Sequence, residues 1–69
     1  MKLKYSVTTV AQSNGDHEVH NEKCSFYPSL PNRKYLGEFE HCTVAVNEAK
    51  KHYSRADGCK YCSPGCHTR

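Results

Sequence analysis

The chain has 69 residues and five cysteines, and its ten lysines and arginines against seven aspartates and glutamates give a net charge of +3. This length predicts one domain, residues 1–69, whose hydrophobic core is too small to stabilise it without a metal ion or a disulfide. No run of about 20 apolar residues indicates a membrane span, and the mild positive charge does not by itself indicate a nucleic-acid partner.

The first twenty residues predict a β-hairpin. From Lys2 to Gln12, β-branched residues are frequent and successive side chains fall on opposite faces, which favours a half-buried strand. Asn14-Gly15 is typical of a tight reversal, and residues 17–20 resume an extended pattern. We expect the first strand to have an exposed edge through which copies can pair, although the pattern leaves the oligomeric state open.

The next segment predicts a loop followed by a third strand. Pro28 and Pro31 disfavour both a helix and a central strand, so residues 24–32 are expected to form a loop with Phe26 and Tyr27 as aromatic anchors. Residues 33–39 have the composition of a short strand.

One helix is predicted from about Cys42 to Ser54, because apolar residues recur there at the spacing of a single helix face. Gly58 is expected to end this segment in a positive φ conformation. The chain therefore predicts an α+β fold, in which a short antiparallel sheet of about three strands accompanies one helix and a C-terminal Cys-x-x-Cys knuckle.

Two pairs of soft ligands flank the predicted helix. Cys59 and Cys62 have the spacing of a zinc knuckle, in which a tight turn aims two thiolates at one ion. His20 and Cys24 supply a second pair from a distant part of the chain, which completes the four nitrogen or sulfur ligands of a structural Zn²⁺ site.

Other residues can be ligands instead. Cys66 and His67 lie close to the knuckle and are alternates to His20, whereas His17 would sit on the strand face opposite His20. Cys42 is interpreted as a buried free thiol on the apolar face of the helix. His41 and His52 are most simply surface residues.

A metal is favoured over disulfides as the stabilising crosslink. The cysteine count is odd, and the first ten residues contain no apolar run of the kind that a signal peptide needs. We therefore expect a cytoplasmic, soluble protein. A redox function for Cys59 and Cys62 is disfavoured because the helix precedes them, and covalent haem attachment at 62–67 is disfavoured because Met1 is the only methionine.

Several of these segments together resemble the Ada-like metal-binding domains, which include the N-terminal zinc module of the Ada DNA repair protein and related bacterial modules. The resemblance covers about residues 19–62, through the runs 19–24, 35–39 and 57–62 and the short helix between them. It implies that His20, Cys24, Cys59 and Cys62 are the metal ligands. In Ada the first ligand is a cysteine that accepts a methyl group, and the imidazole of His20 cannot perform that transfer in the same way.

Three functions are compatible with these residues. The first is a non-enzymatic zinc module with a surface that binds nucleic acid or protein, since a closed four-ligand site leaves no position for a substrate. The second is a thiol enzyme, either an alkyl acceptor or a disulfide exchanger. The third is metal storage or delivery through the C-terminal ligands. The basic residues that would contact nucleic acid are Lys50, Lys51, Arg55 and Lys60.

Overall fold

The computed structural model describes residues 1–68, which form four strands and one α-helix. The strands are β1 (Leu3–Thr8), β2 (His17–Asn21), β3 (Arg33–Phe39) and β4 (Ala56–Gly58), the helix is α1 (Cys42–Ala49), and 3₁₀ turns cover Leu30–Asn32 and Pro64–Cys66. The α+β class with one helix is confirmed. Within residues 1–68, no helix is both long enough and apolar enough to cross a membrane.

The four strands form one mixed sheet in the order β3-β1-β2-β4. The predicted hairpin is confirmed, because β1 pairs antiparallel with β2. The predicted extent of the first strand is wrong, since β1 ends at Thr8 rather than Gln12 and residues 9–16, with Gly15 at a φ of 90°, form the connection. The prediction of about three strands is wrong, since the three residues of β4 carry no periodic signal yet pair in parallel with β2. The expectation of an exposed edge on β1 is also wrong, because β2 and β3 flank it on both sides.

The hydrophobic core lies between one face of the sheet and helix α1. Its buried members are Tyr5, Val7, Val19, Ala45, Val46, Ala49 and Ala56. The small residues of the helix allow its backbone to approach the sheet closely, which suits a core made of few side chains. All four strands contact helix α1, although the helix has only eight residues.

Strand β1 is buried on both faces rather than half-buried as predicted. Ser6 points away from the core and is nevertheless fully buried. Its hydroxyl lies 2.6 Å from the hydroxyl of Tyr27, which belongs to the loop before the first 3₁₀ turn. The proline-containing loop thus covers the second face of the sheet. Tyr27 is an anchor as the sequence predicted, whereas the same prediction is wrong for Phe26, which is exposed.

Helix α1 ends at Ala49, five residues earlier than predicted. The N–H groups of His52 and Tyr53 both donate to the carbonyl of Ala49, which closes the helix in a turn. Tyr53 then stacks on His17, with ring centroids 4.0 Å apart and planes inclined by 15°. A longer helix would carry Tyr53 away from the sheet, so this stacking contact favours early termination.

A disulfide joins Cys42, the first residue of the helix, to Cys66 in the C-terminal turn. The prediction that Cys42 is a free thiol is therefore wrong, and so is the argument from the odd cysteine count. The other three cysteines, Cys24, Cys59 and Cys62, are free thiols. The cysteine count is odd because three free thiols lie in the candidate metal site and the other two cysteines form the disulfide.

Gly58 permits the C-terminal segment to pack against β4. Its φ is not positive, so the predicted left-handed conformation is wrong, and the residue is instead needed for space. A Cβ atom at position 58 would lie 2.7 Å from Cys66 Cβ and 2.8 Å from the Cys66 carbonyl carbon. Only glycine allows this approach without a shift of the backbone that carries the disulfide.

Replacing Gly58 with alanine should lower the free energy of unfolding by about 1–3 kcal/mol, the usual cost of overpacking. Urea denaturation followed by circular dichroism would measure the change. Gly65→Ala is the matched control, because a Cβ at position 65 meets nothing within 4 Å. Equal stability of the two variants would contradict the packing role of Gly58.

Candidate metal centre

The four side chains predicted to bind a metal lie together at one end of the sheet. The imidazole of His20 and the thiols of Cys24, Cys59 and Cys62 offer four ligand atoms that all lie within 4.8 Å of one another. His20 and Cys59 are buried, and Cys24 and Cys62 are partly exposed. Four donors at this separation can surround a single ion.

The parallel pairing of β2 with β4 explains why residues distant in sequence converge. Val19 is in register with Gly58, and the N–H of Cys59 donates to the carbonyl of Val19 over 3.0 Å. The residue after β4 is therefore fixed beside His20, near the end of β2. The chain then turns, with the N–H of Ser63 donating to the Cys59 carbonyl, and this brings Cys62 back to the site.

Two short turns of similar geometry hold the cysteines. The N–H of Phe26 donates to the sulfur of Cys24, and the N–H of Tyr61 donates to the sulfur of Cys59, each over 3.4 Å. Amide donors two residues beyond a cysteine stabilise its thiolate and fix the direction of its lone pairs. Each turn therefore presents its sulfur as a hydrogen-bond acceptor, an arrangement that suits a metal-bound thiolate.

The orientation of His20 is set by Glu18, which sequence reasoning missed. His20 Nδ1 lies 3.6 Å from Cys24 Sγ, whereas Nε2 lies 3.5 Å from the Glu18 carboxylate. Residues two apart in a strand project from the same face, so Glu-x-His was the available signal. A carboxylate behind a metal-binding imidazole fixes its tautomer and increases its basicity.

Burial disfavours charge on the side chains of the site. Burial lowers the pKa of His20, against the opposing effect of Glu18, and so favours the neutral imidazole that a metal requires. Burial raises the pKa of the Cys24 thiol to about 12 and also raises the pKa of Cys59. A divalent cation reverses this preference, because coordination replaces the thiol protons. One nitrogen and three sulfur donors form a set that fits tetrahedral zinc.

The predicted alternates lie elsewhere. Cys66 is bonded to Cys42, and the imidazole of His67 donates to the carbonyl of Gly58 over 3.0 Å. His17 Nδ1 is 2.8 Å from the carbonyl oxygen of Thr8, on the side of the strand that meets Tyr53. Of these histidines, only His20 is brought to the three free cysteines.

The four predicted nucleic-acid contacts have different surroundings. Lys51 pairs with Glu48 at 3.1 Å, and Arg55 Nε lies 3.1 Å from the buried carboxylate of Asp16. The other two, Lys50 and Lys60, are exposed.

An exposed pair of aromatic rings lies beside the metal centre and was not predicted as a pair. Phe26 and Tyr61 follow Cys24 and Cys59 at the same two-residue interval, and their ring centroids are 4.9 Å apart. They are 57% and 68% exposed, respectively, which is unusual for rings in mutual contact on a small domain. Lys60 Nζ lies 5.9 Å from the centroid of the Tyr61 ring.

Comparisons with protein-family models, curated proteins and solved structures found no match to this chain.

Glu18→Gln should weaken metal binding about 10- to 100-fold. The amide of glutamine would orient the His20 ring less strongly, and the negative charge of the Glu18 carboxylate would be lost from the site. Competition with a chromophoric zinc chelator would measure the affinity. Glu48→Gln is the control, since that carboxylate pairs with Lys51 on the helix. If the wild type, Glu18→Gln and Glu48→Gln bind zinc with equal affinity, Glu18 has no part in the site.

Proposed function

We propose that the chain is a non-enzymatic zinc-binding module in which the ion has a structural role. The observation that carries this proposal is the convergence of one imidazole and three thiols within 4.8 Å. Four protein ligands complete a tetrahedral zinc shell and leave no position for a substrate or an activated water. A structural zinc contributes roughly 10–16 kcal/mol of apparent binding free energy, which is large for a domain of this size.

We also propose a relationship to the Ada-like metal-binding domains. Its support is the sequence resemblance together with the grouping of His20, Cys24, Cys59 and Cys62, the four positions that match that family's ligands. Because an imidazole occupies the first position, the proposed relationship extends to the zinc module and not to methyl transfer.

The surface proposed for partner binding is the aromatic pair, Phe26 with Tyr61, and the neighbouring Lys60. Exposed rings stack on nucleobases without regard to sequence, and lysines beside them attract phosphates. Positive charge would also come from the other predicted contacts, Lys50, Lys51 and Arg55. Lys51 and Arg55 would have to give up their carboxylate partners to bind a phosphate. These features favour single-stranded nucleic acid as the partner.

Protein purified without added metal should contain one zinc per chain by elemental analysis. A strong chelator should then cause cooperative loss of the circular dichroism signal, because the ion joins the segments that follow β2 and β4 and removing it would free them from each other. Cys59→Ser should lose the metal, whereas Ser25→Ala, beside Cys24, should retain it. A metal-free protein whose fold survives chelation would overturn the structural zinc.

Tyr61→Ala should weaken binding of a short single-stranded oligonucleotide about 5- to 150-fold, the equivalent of roughly 1–3 kcal/mol for one stacked base. Fluorescence anisotropy at two salt concentrations would measure this, and the wild-type affinity should fall as salt rises. Tyr35→Ala is the control, because Tyr35 is similarly exposed at 55% but lies on β3. Absent or salt-independent binding would exclude nucleic acid, and a protein would then be the partner to seek.

A further inference from the structure

A second group of residues that could hold a metal ion lies at the N-terminus of helix α1. It consists of His41, Cys42 and Cys66, whose ligand atoms all lie within 4.8 Å of one another. None of them belongs to the first centre. In the structure the two cysteines are joined by a disulfide, so their sulfurs are not ligands in that state.

The disulfide packs against the edge of the hydrophobic core and has polar neighbours on its solvent side. Both cysteines are partly exposed, and His41 is exposed. His41 Nδ1 lies 4.0 Å from Cys42 Sγ, and the Thr43 hydroxyl lies 3.7 Å from Cys66 Sγ. His41 and Thr43 are exposed, so the side of the disulfide that they border is the side from which a thiolate can approach. Cys42 also begins the helix, and the positive end of the helix dipole favours a thiolate leaving group.

We propose that Cys42 and Cys66 alternate between a disulfide and, with His41, a second metal site that forms only on reduction. A low-molecular-weight thiol attacks Cys66 Sγ, the S–S bond breaks, and Cys42 leaves as a thiolate. A second thiol then attacks the mixed disulfide, which releases Cys66 and the oxidised small disulfide. Two electrons pass to the protein, and Zn²⁺ binding to the resulting pair displaces two protons.

Contacts other than the disulfide would keep the two sulfurs near each other after reduction. The buried carboxylate of Asp57 accepts hydrogen bonds from the Thr68 N–H at 3.0 Å and its hydroxyl at 2.9 Å. His67 is held to the Gly58 carbonyl, and Gly58 packs directly on Cys66. The C-terminal segment is therefore fixed to β4 at Cys66 and at the two residues that follow it, while the core holds helix α1 in place.

The proposed site differs from the first in having three protein ligands. His41 Nδ1 accepts a hydrogen bond from the Thr43 N–H at 3.1 Å, which caps the helix. Binding through Nδ1 would replace this cap, so the ion competes with one helix hydrogen bond. The fourth position remains for water or an external ligand, which makes this ion more exchangeable than one in a closed site.

Zinc stoichiometry measured in both oxidation states tests the proposal. The full chain is equilibrated with Zn²⁺ as the only added metal, and unbound Zn²⁺ is then removed. The oxidised protein should hold one zinc per chain, and the protein reduced anaerobically with a phosphine should hold two. Thiol counting confirms that the bridge is open. Cobalt substitution gives a second readout, since thiolate-to-cobalt absorption should rise on reduction and fall when a small disulfide reoxidises the pair.

Matched variants identify the ligands. Cys42→Ser should hold one zinc in both states, and His41→Asn should lose the second zinc while keeping a side chain suited to capping the helix. A reduced wild-type protein that still holds one zinc, with Cys42 and Cys66 shown to be free, would overturn the proposal. So would a second zinc that persists in Cys42→Ser. The first centre serves as the internal reference, so a total of zero zinc would instead refute the proposed structural site.

Discussion

The parallel pairing of β2 with β4 is the interaction on which the rest of the structure depends. Three residues, Ala56–Gly58, lie in register with His17, Glu18 and Val19. This short contact places Cys59 beside His20 and positions the C-terminal segment against the helix. A parallel pair of this length is weak by itself, because an isolated pair of strands is marginal in water. The Cys42–Cys66 disulfide holds the segment after β4 to the helix, and an ion at the proposed centre would hold it to β2, so both would add the stability that the pairing lacks.

The sequence predicted most of the elements that have a local signal. The β1–β2 turn depends on Asn14-Gly15, β3 on its composition, and the grouping of His20 and Cys24 with the knuckle on ligand chemistry and spacing. The turn and the strand are properties of neighbouring residues, and the ligand group follows from the requirement of zinc for four donors, which two short pairs supply.

What the sequence did not predict depends on contacts between distant segments. Strand β4 is too short to show periodicity, and its pairing with β2 is specified only in the folded chain. The burial of Ser6 requires Tyr27 from a separate loop, and the early end of the helix requires Tyr53 to meet His17. Pairing between Cys42 and Cys66, 24 positions apart, likewise could not be derived from cysteine spacing.

The division of the five cysteines has a consequence for how the disulfide is formed. A newly made chain with five free thiols can form several wrong bridges, each closing a different loop. An ion bound at the proposed centre by Cys24, Cys59 and Cys62 would act as a protecting group, because coordinated thiolates are withheld from exchange. Cys42 and Cys66 would stay available for oxidation, because an ion in their proposed three-ligand site exchanges more readily than one in a closed site. Metal binding before oxidation would therefore favour the correct bridge over the wrong ones.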